Sequence, residues 1–132
     1  MRAIIADTGP LYAAVDKDDQ YHQQSQQQLS QINQQKLVVF IPYPIYLETH
    51  KLILQSIGIT AAIKFSQEIQ LQANLINPTP EDYQSATSII AKFPDQKITL
   101  FDAIIAVLAN QFKVAVWTYD YHFDIMKIPV WR

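Results

Sequence analysis

The 132-residue sequence contains no cysteine. Disulfide frameworks, cysteine-ligated zinc or iron–sulfur centres and thiol nucleophiles are therefore excluded. Only two glycines occur, Gly9 and Gly58, so the glycine-rich phosphate loops of nucleotide-binding enzymes are absent as well. These two absences together remove several large classes of enzyme.

Long apolar runs and an excess of basic charge are also missing. No run approaches the length of a membrane span, and the first apolar stretch is too short for a signal peptide because Asp7 interrupts it. With the lack of cysteine, this predicts a soluble, cytoplasmic protein that has no membrane partner. The net charge is −2, so any nucleic acid has to be engaged by local Lys or Arg, by a partner surface or by bound cations.

Apolar residues make up 49% of the chain, enough for a real core, and the length fits one domain over residues 1–132. Apolar patterning predicts strands at 2–6, 37–41, 74–77, 114–118 and 128–130. Helices are predicted at 11–15, 20–33, 42–57 and 60–73, then from Pro80 to a loop at 92–97, and at 99–111. The second helix is Gln-rich with Asp18 or Asp19 as its cap, and the fourth has Thr60 as its cap. Such alternation predicts a three-layer α/β/α domain with a central, mostly parallel sheet.

Two acidic residues follow predicted strands. Asp7 comes directly after the first strand, and Asp120 lies two residues beyond the strand at 114–118. Because the carboxyl ends of parallel strands share one rim of the sheet, where ligands bind, both side chains are expected there. Either residue alone also fits a simple turn, since Asp is common after strands.

Two further acids lie in predicted helices. Glu48 falls between Ile45 and Leu52 on the inward face of its helix, where an ionised carboxylate is costly without compensation. The alternative is an ion pair with a nearby Lys or Arg. Asp102 is the third helical residue after Thr99, where its alternative role is to complete a capping box.

The set of four acids predicts more than its members do. Crowded carboxylates repel and raise one another's pKa values unless a cation is present, and oxygen ligands suit Mg²⁺ or Mn²⁺ rather than zinc. No paired histidine adds to them. We interpret His22, His50 and His122 as isolated surface or capping residues, because they show no metal-ligand spacing.

The chain resembles a known family in four segments, taken in order. They are Ile4-Ile5-Ala6-Asp7-Thr8, the helical Glu48, the helix Leu100-Phe101-Asp102-Ala103-Ile104-Ile105-Ala106, and Trp117-Thr118-Tyr119-Asp120-Tyr121-His122-Phe123. This pattern is similar to the PIN domain, most of all to the small VapC-type ribonucleases of toxin–antitoxin pairs. The resemblance spans essentially the whole chain, and its more specific parts are the last two segments.

The resemblance implies roles for individual residues. Asp7, Glu48, Asp102 and Asp120 match the metal-binding, catalytic acids of the family. Thr8 and Thr118 match supporting positions, and Asp124 is a further acid, for which a plain turn residue is the alternative. Lys51, Lys92 and Lys97 are candidate phosphate contacts, with solvated surface lysines as the alternative.

By the same resemblance, the protein is a Mg²⁺- or Mn²⁺-dependent endoribonuclease and the toxin of a toxin–antitoxin pair. Metal-activated water would hydrolyse the phosphodiester to a 5′-phosphate and a 3′-hydroxyl. RNA, a small antitoxin protein and a second copy of the chain are the implied partners. The alternatives are a catalytically silent PIN-like binding module and a stand-alone RNA-processing nuclease. A receiver or phosphatase domain fits poorly, because Asp7-Thr8-Gly9 lacks a second Asp.

Overall fold

A computed structural model describes residues 2–132. Within that range the strands are β1 (Ala3–Ala6), β2 (Val38–Pro42), β3 (Asn74–Ile76), β4 (Ala115–Trp117) and β5 (Val130–Trp131). They form one sheet in the order β3-β2-β1-β4-β5, and each neighbouring pair is parallel. The predicted sheet is thus confirmed, and it is parallel throughout.

The helices follow the strands in near alternation. They are α1 (Thr8–Val15), α2 (His22–Gln35), α3 (Tyr43–Ser56), α4 (Ile59–Gln72), α5 (Pro80–Ala91), α6 (Leu100–Phe112) and α7 (His122–Ile125). Helix α1 contacts both α2 and α3, α3 contacts α4, and α5 packs along α6. Helices flank the sheet, which confirms the α/β/α class.

The core is built around β1 and α6. In β1, Ile4 pairs with Val39 of β2 on one side and with Ala115 of β4 on the other. Helix α6 is buried from Asp102 to Ala109, as its nearly all-apolar sequence predicts. The two most central elements therefore each carry one of the four acids at or beside an end, Asp7 after β1 and Asp102 in the first turn of α6.

The carboxyl rim of the sheet brings distant segments together. The backbone amide of Asp7 donates a hydrogen bond of 3.0 Å to the carbonyl of Trp117, so the residues that follow β1 and β4 lie side by side. Parallel pairing of these strands therefore places Asp7 next to Thr118, as the strand order requires.

Two predicted caps are wrong. Helix α2 starts at His22 with Tyr21 as its N-cap residue, because the carboxylates of Asp16 and Asp19 instead bind the amides of Asp18 and Tyr21 in local turns.

Helix α4 starts at Ile59, and its N-cap residue is Gly58 instead of the predicted Thr60. The φ of Gly58 is +125°, a conformation that side chains other than hydrogen rarely permit. Its amide donates to the carbonyl of Ile53 at the end of α3, so the glycine joins the two helices in one tight turn. In residues 2–132, no helix combines the length and the hydrophobicity that a bilayer crossing requires.

Candidate active site

A cleft of about 360 Å³ opens at the carboxyl rim of the sheet. All four acids singled out in the sequence line it: Asp7, Glu48, Asp102 and Asp120. The other lining residues are Thr8, Gly9, Lys97, Thr99, Phe101, Tyr119 and His122. The fold therefore brings together acids that lie up to 113 positions apart in the chain (120 − 7).

Asp7 is the more buried of the strand-end acids, with 7% of its surface exposed. It is the N-cap of α1, where its Oδ1 accepts a hydrogen bond of 2.8 Å from the amide of Thr8. Burial raises the pKa of Asp7 to about 7, and the nearby carboxylates of Asp102 and Asp120 add to that rise. Hydrogen bonds from Thr118 and Thr8 oppose it without cancelling it.

Thr118 connects two of the acids. Its hydroxyl donates a hydrogen bond of 2.8 Å to Oδ2 of Asp7 and accepts one of 2.9 Å from the amide of Asp120. The carboxylate of Asp120 in turn accepts from the amide of His122 at 2.9 Å. One buried threonine thus fixes the relative position of the acids that follow β1 and β4.

Thr8 has the corresponding role for Glu48. Its hydroxyl donates a hydrogen bond to Oε1 of Glu48, which projects from α3. The ion pair considered for Glu48 is not observed, since the salt bridges among residues 2–132 do not include it. Both predicted supporting threonines therefore contact cleft carboxylates directly.

Asp102 occupies a capping position without completing the cap. Its amide donates a hydrogen bond of 3.1 Å to the hydroxyl of Thr99. Its carboxylate does not complete the capping box, and Oδ2 lies 3.3 Å from Nδ1 of His122. In α5 the equivalent Asp82 does complete the box, because Oδ2 accepts from the amide of Thr79 at 2.9 Å. The capping alternative for Asp102 is therefore only half realised.

His122 is the site residue that the sequence interpretation missed. It is not an isolated surface residue: its side chain is 12% exposed, and its Nδ1 lies 3.3 Å from both Asp102 Oδ2 and Asp120 Oδ1. The buried Nε2 has no hydrogen-bond partner in the described residues. One signal was available, since Asp two residues before His122 predicts a local turn onto its amide.

The charge in this cleft is poorly balanced. Burial raises the pKa of Asp102, repulsion from Asp120 raises it further, and the His122 contact opposes both. The sequence led us to expect that repulsion between carboxylates would be the main cause of raised pKa values. For both Asp7 and Asp102, burial raises the pKa more than that repulsion does. Lys97 is the only Lys or Arg among the described residues that line the cleft.

The remaining predicted residues lie elsewhere. Asp124 lines a neighbouring depression and forms an ion pair of 3.5 Å with Arg132. Lys51 is exposed on α3, and Lys92 is the C-cap residue of α5, so neither lines the cleft. Lys97 does line it, from the loop before α6.

The donor set fits a divalent cation. Asp102, Asp120 and His122 offer ligand atoms that all lie within 4.8 Å of one another, and Asp7 lies close enough for the charges of Asp102 and Asp120 to raise its pKa. A cation placed among these groups would remove the penalty of burying several carboxylates together. Mg²⁺ and Mn²⁺ match the carboxylate oxygens of this set.

Comparison with known proteins gives the fold a context. The Mycobacterium tuberculosis toxin VapC20, which cleaves the sarcin–ricin loop, superposes with a TM-score of 0.85 and 18% identity over 98% of each chain. VapBC2 from Rickettsia felis, solved bound to a DNA fragment from its promoter, superposes with a TM-score of 0.75 and 12% sequence identity, over 97% of this chain and 96% of that one. VapBC-1 from nontypeable Haemophilus influenzae superposes with a TM-score of 0.70 and 15% sequence identity, over 98% of this chain and 96% of that one.

Identities this low relate the folds and not the activities. Comparison with curated protein sequences finds no match. The PIN domain family model, however, matches residues 4–128 of the sequence, a range that includes every acid of the cleft. The chain belongs to the PIN domain family.

Proposed function

We propose that the protein is a Mg²⁺- or Mn²⁺-dependent endoribonuclease, with residues 1–132 acting as one PIN-like nuclease domain. Asp7, Glu48, Asp102 and Asp120 are the proposed catalytic and metal-binding acids. The observation that carries the proposal is their convergence on one cleft without a matching set of basic side chains. A cluster of that kind is costly to bury in a folded chain unless a cation balances it.

The bound cation would supply a lowered pKa for an attacking water and a polarised phosphodiester. The side chains do the rest. Thr118 and Thr8 orient Asp7 and Glu48 through their hydroxyls. His122 orients Asp102 and Asp120, because ionised carboxylates only accept hydrogen bonds and its Nδ1 must then carry the proton.

These orienting contacts hold the carboxylates in place before substrate arrives. A fixed arrangement lowers the cost of reaching the reactive geometry, since the groups need not reorganise during the reaction. Lys97 is the one cationic side chain positioned at the cleft, among the described residues, to meet a phosphate of the substrate.

RNA as the substrate, and a role as a toxin, are further parts of the proposal. They are supported by the likeness to the sarcin–ricin loop cleaving toxin VapC20. An antitoxin partner is supported by the likeness to VapBC-1 and to FitAcB from Neisseria gonorrhoeae.

A homodimer and a cytoplasmic location complete the proposal. Exposed apolar side chains on α3 and α4, among them Leu47, Leu54, Ile59 and Ile63, favour self-association. The cytoplasm is where the proposed RNA substrate is found.

The nuclease proposal is tested by incubating end-labelled single-stranded RNA with the purified chain in EDTA, Mg²⁺ or Mn²⁺. We expect cleavage only with metal, 5′-phosphate products, and a reaction slower by about 100-fold or more for Asp102→Asn, since the variant loses a ligand charge. Full cleavage by that variant would show that Asp102 is not a catalytic or metal-binding residue. Absence of cleavage by the native chain with either metal would favour the catalytically silent binding module instead.

The toxin part has its own test. Induced expression of the chain should arrest growth, whereas Asp102→Asn should not. If growth continues while purified protein cleaves RNA well, the protein is the stand-alone RNA-processing nuclease and the toxin and antitoxin parts fall.

A further inference from the structure

A second depression, of about 220 Å³, adjoins the acidic cleft. Tyr119 and Asp120 line both, so the cleft and the depression meet at these side chains. The rest of its lining is Tyr21, Gln24, Thr118, Tyr121, Asp124 and Arg132. Three of the seven tyrosines of the chain therefore meet beside the proposed scissile position.

The three rings line the depression together, and two of them stack on each other. Tyr21 stacks on Tyr119 with ring centroids 4.6 Å apart and planes inclined by 29°. Tyr121 lies next in the chain to the cleft residue His122, with ring centroids 4.6 Å apart. Tyr121 is 63% exposed, so a large aromatic side chain is left in solvent immediately beside the cleft.

This surface is held in shape by the rest of the fold. The hydroxyl of Tyr119 donates to Oε1 of the buried Gln28, which also accepts from Nε1 of Trp117. The amide of Tyr21 donates a hydrogen bond of 2.8 Å to Oδ1 of Asp19. The ring of Tyr119 is therefore fixed and loses little conformational entropy when a ligand stacks on it.

The charges around the depression disfavour recognition through phosphate. Asp120 and Asp124 both line it, and the single guanidinium among its described lining residues, that of Arg132, already pairs with Asp124 at 3.5 Å. The whole chain carries a net charge of −2. With one Lys in the cleft and one paired Arg in the depression, the side chains that line these two sites neutralise few backbone phosphates. Stacking on aromatic faces does not require positive charge.

We propose that this tyrosine subsite (Tyr21, Tyr119 and Tyr121) binds an unpaired nucleobase of the substrate strand, next to the phosphodiester held in the acidic cleft. The identity of that strand as RNA rests on the proposed function. Bases in a duplex are stacked on their neighbours and cannot offer a free face, so the subsite selects single-stranded segments and loops.

The test measures binding apart from cleavage. Anisotropy of a fluorescein-labelled single-stranded oligoribonucleotide is followed in the Asp102→Asn background, which removes turnover. Tyr121→Ala should raise Kd by about 5- to 100-fold, as expected for the loss of one stacked base. Tyr121→Phe, which keeps the ring, should stay within about 2-fold.

Two controls bear on the mechanism. Tyr83→Ala removes a tyrosine ring on α5 that lies outside both depressions, and it should leave Kd unchanged. The exposed fraction of Tyr83 is close to that of Tyr21. A fully paired duplex of the same sequence should bind equally well to the Asp102→Asn protein, which keeps Tyr121, and to the same protein with Tyr121→Ala. The ratio of Kd values for the two proteins should also change little between low and high salt, because stacking releases few counterions.

The outcomes separate the subsite from the proposed function. Equal Kd values for Tyr121→Ala and its parent would overturn the subsite, whereas metal-dependent cleavage by the native chain would still stand. Tyr121-dependent binding without any cleavage by the native chain would keep the subsite and overturn the nuclease. A native chain that neither binds nor cleaves the oligonucleotide would overturn both.

Discussion

At the scale of single residues, each carboxylate of the cleft has a specific neighbour that holds it. Thr118 holds Asp7, Thr8 holds Glu48, and His122 contacts the remaining two acids. The acids themselves were predictable from strand ends and helix faces. The resemblance also implied Thr8 and Thr118 as supporting residues, but not which acid each one contacts, because a hydrogen bond between residues 111 positions apart leaves no trace in local sequence.

The raised pKa of Asp7 predicts a pH-dependent stability of the metal-free chain. A buried acid whose folded pKa is about 7, against an ordinary value of 3.8, favours the folded state most below pH 3.8. That contribution is lost progressively as pH rises to about 7. Asp7→Asn should therefore be more stable than the native chain above pH 7, by up to about 4 kcal/mol.

Urea unfolding in EDTA at pH 4 to 8 measures this difference. The gap between Asp7→Asn and native protein should widen up to about pH 7 and then level off. Asp95→Asn, at an exposed loop acid, is the matched control and should show no gap. A gap that is constant across the range would contradict the raised pKa.

His122 gives the second prediction at this scale. His122→Ala leaves Asp102 and Asp120 without the ring that lies between them, so the carboxylates should repel and lose their orientation. We expect the Mn²⁺ concentration for half-maximal RNA cleavage to rise by about 10- to 100-fold. His50→Ala, whose ring contacts Ser66 away from the cleft, should not change it. An unchanged metal requirement for His122→Ala would remove this positioning role.

At the scale of elements, α5 and α6 begin with the same Thr-x-x-Asp pattern and use it differently. In α5 the Asp82 carboxylate completes the capping box and also accepts from Gln111 at 2.7 Å. In α6 the Asp102 carboxylate faces His122 across the cleft. The pattern alone predicts a helix start in both places, and only the tertiary surroundings separate a structural acid from a candidate functional one.

This contrast predicts stability changes of opposite sign. The hydrogen bond from the Thr79 amide lowers the pKa of Asp82. The ionised Asp82 therefore stabilises the fold at pH values above the ordinary pKa of Asp, and this contribution is lost as the pH falls. Asp82→Asn should cost about 1 kcal/mol at pH 7 and leave RNA cleavage intact. Burial raises the pKa of Asp102, so Asp102→Asn should stabilise the metal-free chain at pH 7 while abolishing cleavage. Thermal unfolding and cleavage assays on both variants check the pair, and destabilisation by Asp102→Asn would contradict it.

Elements with strong local signals were predicted well. The strands and α6 follow from their apolar patterning, and α5 follows from its cap and Pro80 at the first position. The predicted starts of α1, α2 and α4 were wrong. Helix α1 begins at Thr8, because Asp7 caps it. The Asp19 carboxylate binds the amide of Tyr21 in a local turn instead of capping α2, and Gly58 forms the turn that precedes α4. The four-residue helix α7 is too short to show periodicity and was not predicted. For that reason the sequence did not indicate that His122, at its start, lies beside the acids.

At the scale of the whole molecule, the site depends on the order of the strands. The cleft forms because β1 lies between β2 and β4, so the segments after all three strands reach one rim. Strand order is set by long-range packing, and the alternation of elements predicts only that the sheet is parallel. The sequence could therefore indicate which acids would converge, but not the shape of the cleft or the tyrosine subsite beside it.

We propose that acids remote in the chain form one site for a divalent cation. A calorimetric titration of Mn²⁺ into EDTA-stripped protein, with the native chain beside Asp7→Asn, measures whether this site exists. We expect saturable binding of one or two ions to the native chain, and binding to the variant that is weaker by about 10-fold or more. Failure of the native chain to bind Mn²⁺, or equal binding by both proteins, would contradict it.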